Sequence, residues 1–158
     1  MKKGIFKFLS GLVVGVAITL LALFVILPKQ MFVVNESKLG FDETVATIVK
    51  SAADNNWSVP HQYDLQAAMK KHDLEVNPVT VFSLCKPDHS FEILKRDEER
   101  LVSALMPCRI AVYEKNGKTF ISMLNSGLFS KLMGSKINEV MSLASEENLK
   151  ILEPVIRN

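Results

Sequence analysis

The chain predicts an α+β protein in which one N-terminal transmembrane helix precedes a single domain with a mostly antiparallel sheet and packed helices. Three observations carry that expectation. Residues Phe8 to Pro28 form a run of 21 without a charge. Two apolar-rich β runs flank Asn116-Gly117, a dipeptide suited to positive φ at both central positions of a tight hairpin. Between Phe41 and Ala52, and again from Leu132 to Leu152, apolar residues recur at helical spacing.

The first run is long enough, at about 1.5 Å per residue, to cross a hydrocarbon core of about 30 Å. A secretory signal peptide has a shorter apolar region and ends in a small-x-small cleavage pair. This run instead exits through Val25-Ile-Leu-Pro-Lys-Gln30. A buried globular helix keeps a polar face, and this one is apolar all round. Lys2, Lys3 and Lys7 precede the span, so the positive-inside rule holds the N-terminus in the cytoplasm and sends the remainder across. The expected address is a bacterial inner (cytoplasmic) membrane, crossed once, with the C-terminal domain periplasmic or extracellular. The expected organisation is a cytoplasmic stub at 1–7, a transmembrane anchor at 8–28, a linker and the start of the first strand at 29–39, and an exported domain at 40–158. Gly11 and Gly15 form a GxxxG pair through which two anchors could approach as a homodimer.

Removing Lys2, Lys3 and Lys7 leaves 16 of 19 basic residues against all 17 acidic ones, so the exported part is near −1. The basic footprint of a nucleic-acid binder is missing, and the chain's +2 belongs to its membrane flank. Expected partners are therefore the bilayer through residues 8–28 and a small ligand or another membrane protein, with no nucleic acid.

Within the exported part, Met31 to Val34 reads as a short strand. The helix from Phe41 carries Asp42 and Glu43 in its first turn, where acids favour the N-terminal dipole. Trp57 to Tyr63 alternates loosely, and Pro60 pushes it toward a sheet edge or a bulge. Asp64 caps a brief helix, Leu65 to Lys71. Val79 to Leu84 is β-branched and apolar, as a central strand is. Asp88 to Glu99 reads as a helix with Phe91 and Leu94 inward and Ile93 beside them. The hairpin pairs Arg109–Glu114 with Lys118–Met123. Leu132 to Leu152 is a long last helix striped by Ile137, Val140, Met141 and Ala144, and Glu153-Pro154 ends it. The order is β-α-β-β-β-β-α with two short helices inserted, and Trp57, Phe82 and Phe120 are expected in the core.

Chemistry concentrates at the two cysteines. Cys85 closes the third strand and Cys108 opens the fourth, so antiparallel neighbours would bring the pair across one ladder at disulfide range. An oxidising compartment favours a bridge, worth about 3 kcal/mol in the chain-entropy picture. Two buried free thiols are a second reading. A third is a working site: a redox couple, or soft ligands for copper, zinc or haem iron, with His89, Met106 and Arg109 close in sequence. No CxxC, HxxxH or CxxCH spacing accompanies them, and the sequence names no cofactor. His61 and His72 are scattered, Asp97-Glu98-Glu99 reads as a solvated helix end, and no serine lies in a G-x-S-x-G elbow. Catalytic residues are not indicated.

Phe41-Asp-Glu-Thr44, Trp57-Ser-Val59, Asp64-Leu65, Leu84-Cys-Lys-Pro87 and above all Leu105-Met-Pro-Cys-Arg-Ile-Ala-Val-Tyr-Glu114 resemble the domain-of-unknown-function family number 302. The resemblance covers about residues 31–153 and departs from the usual pattern at Lys86 and Met106. It implies a TATA-binding-protein-like fold, β-α-β(4)-α, and puts Cys85 and Cys108 on the family's two cysteine positions. It supplies no activity. Three functions remain: a membrane-anchored domain that binds a small ligand or partner, a redox or metal/haem-handling protein using Cys85 and Cys108, and a scaffold of a membrane complex.

Overall fold

The computed structural model describes residues 2–157. The chain divides into one unit ending at Phe32 and another beginning at Val33. The first is helix α1, Lys2–Gln30. Its segment Ser10–Gln30 is, among the described residues, the one helix long and apolar enough to cross a membrane by length and composition. The helix continues two residues past Pro28 before it ends.

The second unit begins in β1 (Phe32–Glu36) and continues through α2 (Phe41–Asp54), β2 (Ser58–Asp64), α3 (Leu65–Lys70) and β3 (Val79–Cys85). Then come α4 (Pro87–Leu94), a 3-10 turn at Arg100–Leu105, β4 (Cys108–Lys115) and β5 (Lys118–Leu124). The short α5 (Ser126–Phe129), a second 3-10 turn (Ser130–Leu132) and α6 (Ser135–Leu152) complete it. This is a mixed helix and antiparallel-sheet protein with an apolar N-terminal helix.

The five strands lie in the order β1-β5-β4-β3-β2. β2 to β5 pair antiparallel in sequence, and the β4–β5 register closes at Lys115 opposite Lys118. Asn116 and Gly117 between them take φ of 53° and 71°, as the hairpin reading requires. Pro60 sits in the edge strand β2, where the register slips between Ser58 and His61. A proline cannot donate to the ladder, and an edge with a bulge tolerates it. Asp64 caps α3 through Oδ1, which accepts from the Ala67 amide at 2.8 Å.

Period-2 alternation builds the core face of the sheet. Phe82 and Leu84 of β3, Ile110 and Val112 of β4, and Ile121 of β5 are essentially inaccessible. They join Ile48 and Ala52 of α2 and Ala144, Ile151 and Leu152 of α6 in one apolar cluster. Ile93, Val102, Ile137, Val140 and Met141 make a second, smaller one. Trp57 and Phe82 are buried as expected. Phe120 is half-buried on the opposite face, stacked on Tyr113 at 5.8 Å.

Several boundaries differ from the sequence reading. α4 stops at Leu94, not Glu99. Its inward residue is Ile93, whereas Phe91 is 62% and Leu94 40% exposed. Starting the helix at Pro87 puts His89, Ser90 and Ile93 on one stripe, which turns Phe91 and Leu94 outward. α6 starts at Ser135 instead of Leu132, because Gly134 at φ 94° breaks the chain path, and Leu132 lies almost wholly exposed in the preceding turn.

Candidate functional site

The functional candidates gather where β3 ends and β4 begins. Cys85 is the last residue of β3, and Lys86 leads into α4, whose N1 proline supplies a backbone already set for a helix. The first turns of α4 therefore present His89 and Ser90 beside Cys85. On the neighbouring strand, Met106-Pro107 runs into β4 with Cys108 first. α6 lies across both, with Val140, Met141 and Ala144 facing down. A cavity of about 40 Å³ is left between the two apolar clusters. Its space is on the order of a few water positions.

The expectation that Cys85 and Cys108 stand directly opposite each other needs correction. The register pairs Leu84 with Cys108, and Ser58 with Cys85, so the cysteines are offset by one residue. Both are separate thiols, half-buried, and both line the cavity. Cys85 Sγ lies 3.5 Å from Ser90 Oγ, and its carbonyl accepts from Ser58 Oγ at 2.9 Å. Burial pushes the Cys108 thiol up; the Asn148 amide draws it down, and the neighbouring Cys85 adds to the rise. The net effect keeps Cys108 protonated at neutral pH, unlike an activated nucleophile.

Of the other candidates named from the sequence, His89 and Met106 also line the cavity, so all four metal candidates (Cys85, Cys108, His89, Met106) border the same hollow. Arg109 is exposed, as are His61 and His72. Among the described residues no group of three or more His, Cys, Asp or Glu side chains is placed to hold a metal ion.

Sequence reasoning missed Glu147. One oxygen, Oε2, accepts from Lys86 Nζ at 2.7 Å and Trp57 Nε1 at 2.8 Å, and lies 3.2 Å from His89 Nε2. Burial alone pushes the Glu147 carboxyl up, but its bonds from Lys86, Trp57 and His89 outweigh that and bring it to about 2. An ionised Glu147 makes His89 Nε2 the protonated nitrogen, so in the neutral ring Nδ1 holds the lone pair. The Trp57 and His89 rings meet at 5.7 Å. The signal was present in the stripe Val140, Ala144: its continuation by one turn reaches Glu147 and Asn148, two polar residues on a face that otherwise enters the core.

The model of the family described as domain of unknown function DUF302 matches residues 33–156. The chain belongs to this family. A solved DUF302 structure, described as the crystal structure of an uncharacterized conserved protein from Bacillus stearothermophilus, is similar at a TM-score of 0.70. The likeness covers 78% of this chain and 96% of that one at 21% identity, which speaks for the fold alone. No curated protein matches the chain. The DUF302 match begins at Val33, after the apolar helix, and takes in every residue of the cysteine cavity and the Glu147 cluster.

Proposed function

We propose that this DUF302 protein is a membrane-anchored, extracytoplasmic binding module whose ligand enters the cavity beside Cys85 and Cys108. On this reading residues 1–7 stay in the cytoplasm, 8–28 span the bilayer, 29–39 hold the linker and the first strand, and 40–158 complete the exported domain. The strand order and the β-α-β(4)-α sequence of elements support a TATA-binding-protein-like reading of that domain. The observation that carries the binding reading is the cavity: a mostly apolar hollow with a few convergent polar groups at one wall. The hydrogen-bonded Glu147 cluster holds that wall in one geometry. Nothing in the wall pairs a nucleophile with a base. Cys108 is a protonated thiol, and the hydrogen-bond partner of Cys85 is Ser90.

Xenon tests whether the cavity admits a small apolar guest. Xenon-saturated buffer applied to the full chain in detergent micelles should shift the methyl resonances of Ile93 and Val140 and change the emission of Trp57, the single tryptophan. Unmoved Ile93 and Val140 methyls, with Trp57 unchanged, would remove the binding reading.

A further inference from the structure

We propose that Cys85 and Cys108 form a dithiol site that exchanges with a low-molecular-weight disulfide and closes to an intrachain bridge. The chemistry goes beyond the binding module; its setting, an oxidising compartment, rests on the extracytoplasmic address proposed above. Leu84 stands opposite Cys108 in the β3–β4 ladder, which makes Cys85 the diagonal neighbour of Cys108. Strands about 4.5–5.5 Å apart, with a rise of about 3.3 Å per residue, put the two Cα atoms about 6 Å apart. A disulfide spans Cα separations of about 4.4–6.8 Å, so the bridge forms within the register as it stands.

Direction matters as much as spacing. Strict alternation along β3 would turn Cys85 to the face opposite Leu84 and Cys108. The strand ends at Cys85, and there the side chain leaves that alternation. Its Sγ lies 3.5 Å from Ser90 Oγ, on the stripe of α4 that lines the cavity. Cys108 packs against the main apolar cluster and lines the same cavity from the neighbouring strand. Both thiols are half-buried at a hollow of about 40 Å³, which suits a slim disulfide as the oxidant.

Exchange runs in two steps. The Cys85 thiol gives its proton to solvent, and its sulfur attacks R–S–S–R. A bond forms between Cys85 Sγ and one sulfur, and the other leaves as R–S⁻ with the electron pair of the broken bond. Cys108, held protonated by burial, serves as the resolving thiol. It loses its proton, attacks Cys85 Sγ and expels the second R–S⁻. The two leaving thiolates take up two protons, so the cysteines are oxidised and the disulfide is reduced to two R–SH. Asn148, 4% exposed, directs its amide to Cys108 and favours the thiolate that this second attack needs.

The test treats the reduced full chain in detergent micelles with 2-hydroxyethyl disulfide, then quenches with acid. Free thiols should fall from two to none per chain, the intact mass should drop by two hydrogens, and dithiothreitol should reverse both. A non-reducing peptide map should join the Cys85 and Cys108 peptides. Folding holds the sulfurs together, so the folded chain should bridge at about tenfold less disulfide than the chain in urea. Cys108→Ser should stall with a mercaptoethanol adduct on Cys85. Near-UV circular dichroism checks that this variant folds; should it unfold, the wild-type map and the urea comparison decide. Two free thiols persisting in the folded chain, adducts on both sulfurs without a bridge, or equal bridging in urea overturns the site. Bridging without xenon entry would remove the binding module and keep the exchange site. Xenon entry without bridging would do the reverse.

Discussion

Glu147 shows how much one side chain in a half-dry position can organise. Its side chain retains about a fifth of its exposure, yet one oxygen serves three donors: Trp57 just before β2, and Lys86 and His89 at the start of α4. A carboxyl lowered from 4.5 to about 2 on folding contributes stability on the order of 3 kcal/mol. Because the folded pKa is the lower one, that contribution is fully present above about pH 4.5 and drains away as pH falls to about 2. Glu147→Gln should abolish this acid-side slope, measured by urea unfolding from pH 2 to 6, and Trp57 emission should change at neutral pH. A glutamine variant with the wild-type slope would show that the Lys86, Trp57 and His89 bonds do not persist in solution. Glu147 was legible only as a polar interruption of an inward stripe. The partners that make it matter lie 58 to 90 positions away, beyond the reach of local pattern.

The β4–β5 hairpin is the element most fully written in its residues. Gly117 sits at φ 71° in a turn that must reverse the strands within two residues. A β-branched side chain there meets no neighbour but a forbidden backbone region. Gly117→Val should cost about 1–3 kcal/mol, seen as a lower urea midpoint with an unchanged slope. At the centre of the sheet the logic is packing. Phe82 is fully inaccessible between β2 and β4, and Phe82→Ala should cost about 3–5 kcal/mol. α4 illustrates the opposite case. Its period could be matched with Phe91 and Leu94 inward, and only the starting point at Pro87 decides that His89, Ser90 and Ile93 face the cavity. A short helix offers about two turns of pattern, too little to choose between neighbouring stripes.

For the molecule as a whole, the separation at Phe32/Val33 coincides with the start of the DUF302 match. The anchor reading makes a direct prediction. The full chain expressed in a bacterium should resist carbonate extraction, and protease added to spheroplasts should digest the domain while leaving a tag placed before Lys2 intact. A chain beginning at Lys29 should be recovered in the soluble fraction with the same cooperative unfolding. Extraction of the full chain by carbonate, or protection of the domain, would overturn the anchor or its orientation. The near-zero charge of residues 29–158 fits a domain that uses a cavity more than an electrostatic surface.

From residues alone came the apolar helix, the strand and helix order, the Pro60 edge, the Asp64 cap and the Asn116-Gly117 turn. All of these rest on local physics: hydrophobic period, backbone freedom and capping act over a few neighbouring residues. The tertiary structure decided the rest. The one-residue offset of Cys85 from Cys108, the inward stripe of α4 and the meeting of Lys86, Trp57 and His89 on Glu147 depend on strand register and on how α6 crosses the sheet. Such choices are settled by packing among segments far apart in the chain, where a shift of a single residue moves a side chain from one face to the other.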